Sequence, residues 1–128
     1  MKKVVIDTNV LVSSILTFDG NPARVMKQIS NKQVTLVYCP EILREYERVL
    51  MYDKLNIASQ TQLKIINEIT KLGVMIEPIP SNIILSDETD CIFYDTAKTC
   101  EAILITGNIK HYPNEPFIMT PASFLLQH

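Results

Sequence analysis

Residues 4–9, Val-Val-Ile-Asp-Thr-Asn, place a carboxylate directly after a short apolar run at the start of the chain. Val4 to Ile6 are β-branched, and such a run predicts a buried strand. Asp7 then follows the strand at the position where open α/β sheets carry their functional groups. Aspartate is also a favoured helix N-cap, so Asp7 either caps the next helix or belongs to a functional site. Its position alone does not decide between the two.

The rest of the chain alternates between strand and helix patterns. Short apolar runs predict further strands at residues 34–38, 74–77, 102–106 and 117–119. Apolar residues at helical spacing predict helices over residues 10–16 and 59–72 and helices beginning near Pro22, Pro40, Asp90 and Pro121. In the helix over 59–72, Leu63, Ile66 and Ile69 are predicted to be buried. The alternation predicts an α/β fold, with a mainly parallel central sheet of four to five strands and helices on both faces. We expect residues 1–128 to form a single domain.

Composition limits the class of protein. The chain has 128 residues, of which 47% are hydrophobic and 20% charged, with a net charge of −2. An acidic balance argues against a simple nucleic-acid-binding module, although it permits an enzyme whose carboxylates are neutralised by metal. No apolar run approaches the ~18 residues of a membrane span. Cys39, Cys91 and Cys100 lack zinc-site spacing and are expected to be free thiols in a cytoplasmic protein.

Four polar residues are candidates for one shared site. Asp7 and Asn108 each follow a predicted strand, and Glu45 and Asp90 lie on helices expected to pack near that edge of the sheet. Carboxylates brought within a few ångströms repel one another unless one is protonated or a cation lies between them. Oxygen ligands of this kind suit Mg²⁺ or Mn²⁺. Placement therefore predicts a divalent metal site at the carboxyl edge of the sheet.

Two of these candidates have simple structural alternatives. Glu45 and Glu47 flank the apolar face of their helix to a similar extent, so helical periodicity does not choose between them. Glu45 could also form an ordinary helix-surface ion pair with Arg48. Asp90 is placed to favour the start of a helix through the helix dipole.

Other polar residues are candidates for supporting roles around the site. Lys110 and His111 either contact phosphate or belong to an ordinary polar loop. The helical angle between Asp90 and Asp95 favours a surface or supporting role for Asp95. The set of supporting candidates is Asn9, Ser13, Asp87, Asp95 and Thr106.

Several segments that together span essentially the whole chain form an ordered set: residues 7–13, Asp-Thr-Asn-Val-Leu-Val-Ser; residues 42–46, Ile-Leu-Arg-Glu-Tyr, with Val49-Leu50; the acidic stretch 87–90; the helix with Phe93 and Ala97; residues 105–108, Ile-Thr-Gly-Asn; and Thr120-Pro121 with Phe124-Leu125. Taken in this order, they resemble the PIN domain, a metal-dependent nuclease fold common in prokaryotic toxin–antitoxin modules.

The resemblance implies specific roles for the candidate residues. It assigns Asp7, Glu45 and Asp90 to the family's acidic metal ligands and so favours Glu45 over Glu47. It implies Mg²⁺- or Mn²⁺-dependent cleavage of RNA, usually by a toxin with a small antitoxin partner, and homodimers are common in the family. Asn108 departs from the pattern because it replaces a fourth acid, which is expected to weaken a second metal site.

Two other functions stay open at this stage. The chain could be a catalytically weak PIN scaffold that binds RNA or a protein partner without efficient cleavage. It could also be an aspartyl-phosphate enzyme or receiver domain, which needs a lysine close to the nucleophilic aspartate. Lys110 is near the end of a predicted strand, but it does not follow that strand directly.

Overall fold

The computed structural model describes residues 1–127 and contains a five-stranded sheet in which every pairing is parallel. The strands are β1 (Lys3–Ile6), β2 (Thr35–Tyr38), β3 (Val74–Met75), β4 (Ile103–Ile105) and β5 (Ile118–Met119). Their order across the sheet is β3-β2-β1-β4-β5. The prediction of a mainly parallel α/β sheet is therefore confirmed, with shorter strands than the sequence suggested.

Within residues 1–127, six α-helices accompany the sheet, and three short 3₁₀ turns connect elements. The helices are α1 (Thr8–Leu16), α2 (Asn21–Ser30), α3 (Pro40–Leu50), α4 (Ser59–Leu72), α5 (Cys91–Cys100) and α6 (Pro121–Gln127). The 3₁₀ turns are Asp53–Leu55, Glu88–Asp90 and Ile109–His111. No helix within residues 1–127 is both long enough and apolar enough to cross a membrane.

The core is built on both faces of the central strand. Val4, Val5 and Ile6 of β1 are all buried. Successive side chains of a strand point to opposite faces, so three consecutive buried residues require both faces of the sheet to be covered. An uninterrupted apolar run is the pattern that a central parallel strand produces, which is why the first strand could be predicted.

Local signals fix several helix ends. Pro40 lies in the first turn of α3 and Gly73 follows the last residue of α4, as predicted. The Thr120 hydroxyl accepts a hydrogen bond from the Ser123 amide at 3.1 Å and so caps α6. The burial predicted for Leu63 is wrong, because this side chain is 62% exposed. Ile69 alone of its predicted face is fully buried, since only part of α4 packs against the sheet.

The strand order determines where a site can form. β2 lies on one side of β1 and β4 on the other, so the chain changes direction across the sheet between β1 and β4. In open α/β sheets a crevice forms at the carboxyl ends of the strands at such a point. Ile6 is in register with Ile105, and the Asp7 amide donates to the Ile105 carbonyl at 3.0 Å. Asp7 and Thr106 are therefore neighbours at this crevice.

Candidate active site

Asp7 is held at the carboxyl edge of the sheet by side-chain hydrogen bonds. It occupies the N-cap position of α1, but within residues 1–127 its side chain accepts no capping hydrogen bond. Its Oδ2 atom instead accepts hydrogen bonds from the Thr106 hydroxyl at 2.8 Å and the Tyr112 hydroxyl at 2.9 Å. The side chain therefore faces the crevice, and the interpretation of Asp7 as a simple side-chain cap is wrong.

Burial makes the charged form of the Asp7 carboxylate unfavourable. Asp7 is only 4% exposed. Loss of water raises its pKa above the usual value of 3.8, and the hydrogen bonds from Thr106 and Tyr112 offset this only in part. Because the charged carboxylate remains unfavourable although it accepts two hydrogen bonds, a cation bound beside it would stabilise it.

Asp90 lies at the junction between a 3₁₀ turn and α5. It is 7% exposed, and its Oδ2 atom is buried with no hydrogen-bond partner among the described residues. His111 Nδ1 lies 3.3 Å from that oxygen, within ion-pair distance but without hydrogen-bond geometry. Burial raises the pKa of Asp90 most, and the negative charges of Asp7 and Asp87 raise it further. Asp7 and Asp90 thus form a coupled pair of buried acids, here called the acid pair.

Two buried tyrosines, which the sequence did not identify as site residues, complete this arrangement. Burial raises the pKa of Tyr112 far above its usual value, and the charges of Asp7 and Asp90 raise it further. Tyr46 is buried on α3, and its hydroxyl donates to the carbonyl of Ile6, the residue before Asp7. Tyr46 could be predicted as a core residue from helical spacing. Tyr112 carried no local signal, because it reaches Asp7 only through the fold.

Glu45 lies on α3 outside the acid pair. Its side chain is 19% exposed and forms an ion pair with Arg48, as the helix-surface alternative predicted. No three Asp, Glu, His or Cys residues within 1–127 are grouped closely enough to hold a metal ion, so Glu45 does not join Asp7 and Asp90 here. Glu47 is exposed, whereas Glu45 is partly buried.

The loop after β4 is tied to the start of α1. The Gly107 amide donates to Asn9 Oδ1 at 2.8 Å, and the Asn108 amide donates to the Thr106 hydroxyl at 3.0 Å. A Cβ atom on Gly107 would come within 3.0 Å of Asn9 Oδ1, so glycine allows this close approach. The side chain of Asn108 is exposed. Ser13, with Asn9 and Gly107, lines a neighbouring cleft of about 270 Å³.

The remaining acidic candidates stabilise loops. Asp87 Oδ1 accepts hydrogen bonds from the amide and hydroxyl of Thr89, which lowers the pKa of Asp87 and caps the 3₁₀ turn. Asp95 Oδ1 accepts hydrogen bonds from the amide and hydroxyl of Ser81 and so fastens the segment before the turn. Lys110 is exposed in the loop that carries His111.

Comparison with known proteins places this geometry in a family. The PIN domain profile matches residues 3–110, which include Asp7, Glu45, Asp90 and Asn108. The chain is 31% identical over 109 residues to the uncharacterized protein MJ1680 of Methanocaldococcus jannaschii, covering 83% of this chain and 70% of that protein. No solved structure is a significant match. The resemblance predicted from the sequence is thus confirmed: the chain belongs to the PIN domain family, whose members are generally metal-dependent nucleases.

Proposed function

We propose that this protein is an endoribonuclease that hydrolyses RNA phosphodiester bonds with the help of Mg²⁺ or Mn²⁺. The observation that carries the proposal is the acid pair, in which burial raises the pKa of both Asp7 and Asp90 and the negative charge of Asp7 raises the pKa of Asp90 further. Two carboxylates kept away from water at a sheet edge are stabilised by a divalent cation more effectively than by protonation at neutral pH.

The residues present fit such an ion. Mg²⁺ is commonly held by one or two carboxylates and keeps several waters. Asp90 Oδ2 is buried and has no hydrogen bond among the described residues, with His111 Nδ1 3.3 Å away, so this oxygen can accept a cation. When bound, a divalent ion lowers the pKa of a coordinated water and stabilises negative charge on the attacked phosphate.

The other site residues would have distinct tasks. Asp7 and Asp90 hold the cation, and Glu45 is proposed as a third ligand after it exchanges its ion pair with Arg48. The Asn108 amide oxygen orients water without adding charge. Asn9 and Thr106 fix the loop and the Asp7 carboxylate through their hydrogen bonds, and Ser13 lines the adjoining cleft.

The direct test is cleavage of a labelled single-stranded RNA by the purified chain with Mn²⁺ or Mg²⁺ and with EDTA. Asp7→Asn keeps the size of the side chain but removes its charge, and we expect a loss of about 100-fold or more. Asp19→Asn is the matched control, because Asp19 is exposed and forms an exposed ion pair with Arg24 at 3.6 Å. Cleavage that persists in Asp7→Asn, or that ignores EDTA, would contradict the proposal.

A second candidate is a PIN scaffold that binds RNA or a protein without efficient cleavage. It is favoured by Asn108, which adds no charge, and by the engagement of Glu45 with Arg48. RNA that binds to wild-type protein but is not cleaved with either metal would support this scaffold over the nuclease.

At the biological level we propose a cytoplasmic toxin whose activity is blocked by a small antitoxin encoded beside it. We also propose one domain over residues 1–128 and self-association into a homodimer. Growth arrest on expression, relieved by co-expression of an adjacent small gene, tests the toxin role. Growth that continues despite RNA cleavage in vitro would remove that role and leave the nuclease intact.

A further inference from the structure

Tyr112 has an unusual position for a tyrosine that no expected role explains. It is 6% exposed, and its hydroxyl donates to Asp7 Oδ2 at 2.9 Å. The negative charge of Asp90 also acts on this hydroxyl, so the phenol group lies beside both members of the acid pair. A residue that follows the 3₁₀ turn Ile109–His111 thereby reaches two acids from different parts of the chain.

The chemistry of Tyr112 restricts what it can do there. A phenol titrates at about pH 10, so at neutral pH the Tyr112 hydroxyl keeps the proton that it donates to Asp7 Oδ2. A permanently protonated phenol is a hydrogen-bond donor and cannot act as a base or a nucleophile. Tyr112 therefore acts on Asp7 by orienting it.

Thr106 donates to the same carboxylate oxygen, Asp7 Oδ2, from a position six residues before Tyr112 in the chain. Its hydroxyl is fully buried and lies 2.8 Å from Asp7 Oδ2, and it accepts in turn from the Asn108 amide at 3.0 Å. Two donors on one oxygen restrict rotation of the carboxylate. One donor comes from the end of β4 and the other from the turn that follows, so the loop after β4 sets the orientation of Asp7.

We infer that Tyr112, together with Thr106, is a positioning residue that holds the Asp7 carboxylate in the orientation needed to bind a divalent cation. This inference rests on the proposed metal-dependent function. It also gives the segment after β4 a role that does not require an acid at position 108. This segment supplies the Thr106 and Tyr112 hydroxyls, which donate hydrogen bonds to the proposed ligand Asp7. Partners that orient a metal ligand typically change affinity or activity about 10- to 100-fold when removed.

The test compares two buried tyrosines whose hydroxyls each donate to a carboxylate. Tyr112→Phe removes only the hydroxyl, and Tyr94→Phe removes a hydroxyl that donates to Glu115 in another buried tyrosine. Mn²⁺ affinity is measured by calorimetry and folding by thermal unfolding without metal. We expect Tyr112→Phe to weaken Mn²⁺ binding about 10- to 100-fold and Tyr94→Phe to leave it within twofold.

A second pair of variants tests the inference even if Tyr112→Phe does not fold. Thr106→Val removes the other donor at similar volume, and Thr106→Ser retains it. Weaker Mn²⁺ binding in Thr106→Val with recovery in Thr106→Ser supports the inference. Unchanged affinity in folded Tyr112→Phe and Thr106→Val overturns it while leaving the nuclease proposal standing. No Mn²⁺ binding by the wild type overturns the proposed metal site itself and this inference with it.

Discussion

The acid pair and Glu45 are both candidate metal ligands, but they differ in burial and in what holds each side chain in place. Asp7 and Asp90 are buried, and each follows or begins an element packed at the sheet edge. Glu45 lies on the side of α3 and is paired with a cation of its own helix. Backbone register positions the first two carboxylates before any ligand arrives. The position of Glu45 depends on its side-chain rotamer and on Arg48, so under the proposed function Glu45 would have to leave Arg48 to reach the cation.

The same difference in burial determines which of these interactions a bound cation would break. The Glu45–Arg48 pair joins residues three apart on a helix surface, where ion pairs are weak because water screens them. The acid pair is buried, and although His111 lies 3.3 Å from Asp90, the cost of removing both carboxylates from water persists until a cation or a proton neutralises them. A divalent ion bound by the acid pair would therefore be able to break the weak ion pair between Glu45 and Arg48. Asp7 and Asp90, in contrast, keep the positions that the fold gives them.

The largest expected effect comes from removing the charge of Asp7. Without metal, Asp7→Asn should stabilise the fold at pH 7, because burial raises the pKa of Asp7 and so makes its charged form unfavourable. With Mn²⁺ at a hundredfold excess over Kd, wild type should gain about 2.7 kcal/mol and the variant almost nothing. Thermal unfolding with EDTA and with Mn²⁺ measures both, and an equal Mn²⁺ response in the two proteins would contradict the assignment.

The metal-free advantage of Asp7→Asn should also depend on pH. The pKa of Asp7 is higher in the folded state than its usual value of 3.8, so the folded state binds the proton more tightly. Wild type consequently loses stability as pH rises from the unfolded-state pKa through the raised folded-state pKa. The advantage of asparagine should be absent in strong acid and should increase as the pH rises above the unfolded-state pKa. Unfolding curves between pH 3 and 7 that run parallel would exclude this origin.

An intermediate effect should separate the two glutamates that flank Tyr46. Glu45→Gln removes the proposed third ligand, and we expect Mn²⁺ affinity and RNA cleavage to fall about tenfold or more. Glu47→Gln is the matched control, because Glu47 is exposed on the other flank of the same helix. Equal behaviour of the two variants would leave the acid pair as the whole protein contribution to the site.

The sequence predicted the sheet well because its signals are local. The β-branched run before Asp7 and the proline at the start of α3 act through near neighbours, and both predictions are confirmed. Leu63 was misjudged, since periodicity defines a face of α4 without saying how much of it is covered.

The candidate site could be predicted only where backbone position was enough. Asp7 and Asp90 are brought together because strand ends and helix starts converge at one edge. Tyr112 lies 105 residues from Asp7 in the chain, and no spacing rule joins them. Periodicity likewise left Glu45 and Glu47 equivalent, and only packing makes Glu45 the more sheltered of the two. The role of each remains a prediction until metal binding is measured.

The smallest expected effect tests whether the loop after β4 can add charge to the site. Asn108→Asp places a carboxylate two residues beyond Thr106, next to the donor chain that orients Asp7. Ligand charge tunes divalent affinity, but the side chain of Asn108 is exposed and screened, so we expect Mn²⁺ binding to tighten by only about 3- to 10-fold. Asn114→Asp makes the same change at another exposed asparagine and controls for net charge. Calorimetry that finds unchanged or weaker affinity in Asn108→Asp would count against a cation beside this loop. Equal tightening in both variants would assign the effect to overall charge, because only a local ligand distinguishes the two positions.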